Sequence, residues 1–200
     1  MSSQPNSSIA DGLGLLAHIA LAGKALGCRP LARDVGMDAV RCNRLLKSLA
    51  SAGYLEQDDQ RRYRPGPAFQ VLAAAALHGS ALLRRGSGAL TELAQRSGHT
   101  VALGAVWGER VVYLWHGGQA GASAPYPADQ SSIGRLFADT AKILSSAQVV
   151  HGQHRSLAVP VPGHQRLGLA LTHIPLSAPL PPLRQLLRRC AQTLSELHHA

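Results

Sequence analysis

The stretch "RPLARDVGMDAVRCNRLLKSLASAGYL", residues 29–55, decides the fold. Pro30 suits the first turn of a short helix, where its missing N–H would be unpaired anyway, and Gly36 ends that helix. Asp38 is a good N-cap for a second helix, and Gly53 suits the left-handed residue that closes it. At helical spacing Cys42, Leu45, Leu46 and Leu49 form one stripe, fit to face a core. Val40, Asn43, Arg44, Lys47 and Ser51 fall on the opposite side. Arg41 lies in the first turn, where the helix dipole disfavours a cation by a few tenths of a kcal/mol, which points to an external anion.

Working outward, Tyr54-Leu55, the polar "EQDDQRR" and Tyr63-Arg64 read as two short strands around a turn. Helix, glycine turn, helix and polar hairpin make a winged helix-turn-helix, whose second helix enters the major groove of DNA. Arg41, Asn43, Arg44 and Lys47 then reach base edges or phosphates, with Val40 and Ser51 on the same side. Arg forks onto guanine and Asn onto adenine. Arg61 and Arg62 on the wing take phosphates or the minor groove, against the opposing charge of Asp58 and Asp59. The bland alternative is an amphipathic surface helix that merely shows its polar face.

Two hundred residues suffice for one domain or two small ones with real cores. An apolar share of 46% against 16% charged makes the chain globular rather than disordered. A net charge of +9 and a pI near 10.3 imply an anionic partner, nucleic acid or membrane surface. Residues 1–64 hold nine Lys/Arg against six Asp/Glu and residues 65–200 eleven against five, so charge alone does not locate a binding face. Cys28, Cys42 and Cys190 form no C-x-x-C or zinc spacing, which implies a reduced, cytoplasmic chain. Residues 1–8 lack the pattern of a signal peptide, and no apolar run reaches membrane-spanning length, so no membrane partner is expected.

Residues 67–79 read as a helix opened by Pro67 and carrying an Ala run, a connector between domains. "ALTELAQRSG" is a helix closed by Gly98, and "TVALGAVWGERVVYLWHGG" a hairpin turning at Gly108–Arg110. Residues 117–132 read as loop, "SIGRLFADTAKIL" as a helix, "RSLAVPVPGHQRLGLALTHI" as a second hairpin, and "PPLRQLLRRCAQTLSELHH" as a terminal helix. This order makes an α+β domain with an antiparallel sheet.

The stretch "GMDAVRCNRLLKSLASAGYLEQDDQRRYRPG" resembles the DNA-binding domain of IclR-type transcriptional regulators, in Gly36-Met37, Arg44-Leu45-Leu46, Gly53-Tyr54 and Tyr63-Arg64-Pro65-Gly66. "LTELAQRSGHTVALGAVWGERVVYL" resembles the family's entry into its effector domain, "SSIGRLFAD" (131–139) its small-residue-Gly-Lys helix with Arg135 in the lysine place, and "SLAVPVPGHQRLGLAL" its closing hairpin. The resemblance runs in order from about residue 8 to 197. It implies a winged helix at 1–66, a linker helix at 67–85 and a GAF-like α/β effector domain at 86–200. Three departures stand out: Val40-Arg41 replaces the family's Ser-Thr, His99 stands where an acid is common, and only "TAKILSSAQVVHGQH" lies between Asp139 and Arg155. The short stretch predicts an effector pocket that is smaller, more open or lost.

The resemblance further implies a small carboxylate or aromatic metabolite as effector. Its candidate contacts are Trp107, Trp115 and His116 at hairpin ends, the backbone of Ser131, Ser132, Ile133 and Gly134, and His173. A helix start at Ser131–Ser132 suits a carboxylate, unless it caps itself and the aromatics are core. Eight of the ten histidines lie at or after His99, yet no pair has helical ligand spacing and H-x-x-H at His151–His154 is a weak signal, so neither metal nor cofactor is expected. No nucleophile motif, phosphate loop or paired carboxylates suggest an enzyme. The expectation is a regulator that binds a double-stranded DNA operator as a homodimer or tetramer. Its rivals are a ligand-independent DNA-binding, oligomerising protein and a small-molecule-binding domain with a relic helix-turn-helix.

Overall fold

The computed structural model describes residues 7–117, 119–120, 124–139 and 141–199. They divide into two compact units, meeting at Ala76/Leu77 within one helix.

The first unit runs α1 (Ser7–Ala22), β1 (Leu26–Gly27), α2 (Cys28–Asp34), α3 (Ala39–Ser51), β2 (Leu55–Gln57) and β3 (Arg62–Pro65). The strands form a small sheet in the order β1-β3-β2. Gly36, at φ +67°, turns the chain between α2 and α3 in a backbone conformation that side chains resist. The Asp38 carboxylate accepts from the Val40 and Arg41 amides at 2.9 and 3.0 Å, which fixes where α3 begins. Leu15, Leu16, Ile19, Leu31, Cys42, Leu46, Leu55 and Tyr63 form one buried core. Burial pushes the Cys42 thiol up to about 12, with the Cys28 thiol beside it acting in the same direction, so Cys42 is packing rather than a nucleophile.

Next come α4 (Pro67–Gly79) and α5 (Ala81–Ser97), then β4 (Thr100–Trp107), β5 (Arg110–His116), β6 (Gln119–Ala120), β7 (Tyr126–Pro127), α6 (Ser132–Leu136), β8 (Ala147–His151), β9 (His154–Pro160), β10 (Leu167–Pro175) and α7 (Leu180–His199). The sheet of the second unit is antiparallel, in the order β6-β5-β4-β10-β9-β8, with β7 also on β5. Leu103, Leu157, Val159, Leu169 and Leu171 face the core shared with α5 and α7. Ala102, Val106, Val111, Ala158 and Ala170 face α6 instead. The small residues on that second face leave room above the sheet, and the cleft described below lies there.

Several elements differ from the expectation, among them the short strands β6 and β7 within residues 117–132, read as loop. Helix α5 starts at Ala81, where Ser80 caps it by accepting from Leu83 N at 3.3 Å. Its Gly86 is a packing requirement rather than a break, since a Cβ there would sit 2.5 Å from Leu194 of α7. The helix expected through Leu144 stops at Leu136. Asp139 accepts from the Ala141 amide at 2.8 Å, a local turn that competes with helix. Residues 147–151, in the short stretch between Asp139 and Arg155 and outside every expected element, are the edge strand β8.

Candidate functional site

On α3 the two stripes separate cleanly. Cys42 and Leu46 are fully buried, while Val40, Asn43, Arg44, Lys47 and Ser51 are exposed. Among the described residues, Arg44, Lys47 and Arg61 make no ion pair. Arg41 does not fit the argument made for it. Its guanidinium pairs with the Asp11 carboxylate and donates to Ser7 Oγ at 3.0 Å, so α1 supplies the anion that the helix dipole called for. Its side chain remains 38% exposed.

The wing tip is held by Asp58. Its carboxylate accepts from the Gln60 and Arg62 amides and from the Arg62 guanidinium at 2.8–3.0 Å, and these bonds hold its pKa below the usual 3.8. Asp58 therefore shapes the turn rather than simply opposing DNA. Arg62 is engaged with it, whereas Arg61 stands exposed at the tip with φ +58°.

In the second unit a cleft of about 540 Å³ opens on the small-residue face of the sheet. That is within the ordinary range of ligand pockets, roughly 300–1,000 Å³. His116, Ser131, Ser132, Ile133 and His173 line it. Trp107, Trp115 and Gly134 do not. Trp107 is 62% exposed at the β4–β5 turn, and Trp115 packs against the core under α5 and α7. Gly134 lies instead against the backbone of Ala128.

Two β-bulges explain which side chains arrive. Leu103 pairs with Trp115 but Gly104 with Tyr113, leaving Leu114 as the extra residue. Tyr113 and His116, which strict alternation would put on opposite faces, thus come together at 5.3 Å between ring centroids. On β10, Thr172 and His173 together oppose the single Ser156 of β9. His173 takes φ +58°, uncommon for a residue with a side chain, and turns into the cleft beside Thr172.

Sequence reading missed Tyr113, Tyr126, His151, His154, Arg155 and Ser156 as lining residues. His151 and His154 are cross-strand partners flanking the Gly152–Gln153 turn of the β8–β9 hairpin. The His154 ring lies 6.3 Å from that of His173, and Tyr126 meets His151 edge-on at 6.5 Å. No group of three or more His, Cys, Asp or Glu among the described residues is arranged to hold a metal ion. The start of α6 is capped from within, Ser131 Oγ accepting from Ile133 N at 3.2 Å. Burial pushes the Tyr113 phenol up, partly offset by a hydrogen bond with Ser131.

No protein-family model matches the sequence, and no curated protein does. Solved structures do match. An IclR family transcriptional regulator from Brucella abortus superposes with a TM-score of 0.75 at 19% identity, covering 98% of this chain and 94% of that one. A second regulator, from Alicyclobacillus acidocaldarius, gives 0.63 at 19% identity over 94% and 98%. An IclR homolog complexed with 4-hydroxybenzoate, from Microbacterium hydrocarbonoxydans, gives 0.59 at 17% over 96% and 99%. At such identities the likeness is one of fold. The chain has the α+β fold of the IclR-type transcriptional regulators over nearly its whole length: an N-terminal helix-turn-helix and a C-terminal GAF-like domain.

Proposed function

We propose that this protein is a cytoplasmic, DNA-binding transcriptional regulator of the IclR type, gripping a roughly palindromic operator through two copies of α3. The observation that carries the reading is the exposed row Asn43, Arg44 and Lys47, free of ion pairs among the described residues, on a capped helix beside a hairpin wing. Arg41 serves that helix mainly from behind, by tying it to α1.

Replacing Arg44 or Lys47 with Ala is expected to weaken operator binding by about 1–3 kcal/mol where the residue reads a base. Where it holds a phosphate, the loss is smaller, independent of sequence, and accompanied by a shallower salt dependence. Fluorescence anisotropy on duplexes from the protein's own upstream region measures both. Unchanged affinity in both variants, with circular dichroism intact, would sink the assignment.

Two recognition helices need two chains. Helix α4 buries no residue fully and leaves Val71 and Leu72 69% and 55% exposed beside Ala73–Ala76, a surface suited to a second copy. A dimer or tetramer in sedimentation, reduced to monomer by Val71→Glu, is the expected result; a wild-type monomer at micromolar concentration counts against it.

The cleft favours ligand control over a merely oligomerising domain. It carries an aromatic and aliphatic wall, Tyr113, Tyr126 and Ile133, and a basic rim. The Microbacterium homolog holds an aromatic carboxylate, and a small acid of that kind is the effector class we assign to this chain.

A further inference from the structure

We propose that this cleft binds a carboxylate together with a proton, because four histidines, His116, His151, His154 and His173, line it beside the single fixed cation Arg155. The inference rests on the effector reading above and concerns how that effector is regulated.

The titratable groups facing the cleft are Tyr113 and His116 from β5, Tyr126 from β7, His151 from β8, His154 and Arg155 from β9, and His173 from β10. None is an acid. Residues 117–125, which lead from β5 to β7, contain no charged side chain, and Asp129 lines a separate hollow with Gly134 and Arg166. No carboxylate of the lining is therefore at hand to pair with a protonated histidine. Arg155 is already used in part: its Nη2 donates to the Ala178 carbonyl, while its buried Nε has no partner.

Histidine ordinarily titrates near pH 6.5. Burial holds His116 below that value, and His173 nearby pushes the same way. His154 and His173 also stand ring to ring on the same wall, 6.3 Å between centroids. An anion placed among them reverses both effects, since an opposite charge favours the protonated form. The sign follows. His116 is neutral above its depressed pKa in the empty site and holds its proton to higher pH in the filled one. Affinity rises as pH falls through the window between the two values, by up to about tenfold per pH unit for each proton taken up. The wall of Ala102, Ile133, Ala170 and the two tyrosines adds the second requirement, an apolar body behind the carboxylate.

Benzoate, its uncharged analogue benzamide, and inorganic phosphate separate the claims when titrated calorimetrically into the full-length protein between about pH 6 and 8. Benzoate should bind about fivefold tighter or more per pH unit of acidification, with a heat that changes with the buffer's ionisation enthalpy because a proton is absorbed. His116→Gln and His173→Gln should flatten that slope, and benzamide should show none. Benzoate binding of constant affinity would overturn the proton linkage and leave the effector reading standing. Phosphate binding as tightly as benzoate would overturn the requirement for an apolar body. Failure of benzoate and phosphate at every pH, by a protein that still binds its operator, would overturn the anion site without touching the DNA-binding reading.

Discussion

Leu46→Ala is expected to abolish operator binding by unfolding the winged helix while leaving the second unit folded. Leu46 has no exposed surface and sits among Leu15, Leu16, Ile19, Leu31 and Cys42, in a core whose fully buried residues all precede Pro67, with Phe69 packed against it. Removing a buried leucine costs about 2–5 kcal/mol, the lost transfer energy plus the cavity. A unit this small has little stability to lose, at the low end of about 5–15 kcal/mol. The residues of the other cores begin at Leu77 and share no buried side chain with this one. Both tryptophans, Trp107 and Trp115, belong to the second unit. The half-buried Trp115 therefore reports on that unit alone. In urea, helical circular dichroism should fall early in the variant while the tryptophan transition keeps its midpoint. A tryptophan midpoint that moved with the dichroism would show that the two units unfold as one, and the argument from separate cores would fail.

The winged helix was legible because each of its joints has a chemical signature: Gly36 for the turn, Asp38 for the cap, Gly53 for the exit, and a hydrophobic stripe at helical period between them. The face left exposed follows from that period. The anion partner of Arg41 was not legible, since Asp11 is thirty residues away by sequence and meets it only after α1 packs on α3. In the second unit the two long hairpins and the terminal helix were visible in apolar runs and turn residues. Strand β8 also carries a readable alternation, Ala147 and Val149 inward against Gln148 and Val150 outward, but it is short and follows a polar stretch. The cleft was the hardest to see. Its shape depends on two bulges whose extra residues are neither Gly nor Pro, and one of them moves Trp115 to the far face while bringing Tyr113 beside His116. Simple alternation selects the wrong aromatic residue there.

Gly134→Ala tests how that cleft is held open, and a large loss of stability is the expected result. A Cβ at Gly134 would lie 2.0 Å from the Ala128 carbonyl oxygen and 2.5 Å from its carbonyl carbon and Cα. These are backbone atoms, so no rotamer change relieves the contact. The turn Ala128–Gln130 would have to move, yet it is tied at both ends: Ala128 N donates to Glu109 O at 2.9 Å, and Ser131 N to Ala128 O at 3.2 Å. Overpacking of this kind costs about 3 kcal/mol, the upper end of its usual range. Because Gln130, Ser131 and Ser132 line the cleft, ligand affinity should fall along with stability. Gly88→Ala provides the contrast. It lies exposed within α5 with nothing inside 4 Å of an added Cβ, so alanine should stabilise the protein by up to about 1 kcal/mol through helix propensity. Urea titrations followed by tryptophan fluorescence should move in opposite directions for the two variants. A Gly134→Ala protein as stable as wild type would mean that α6 does not press on the Ala128 turn, and the wall of the cleft would have to be redrawn.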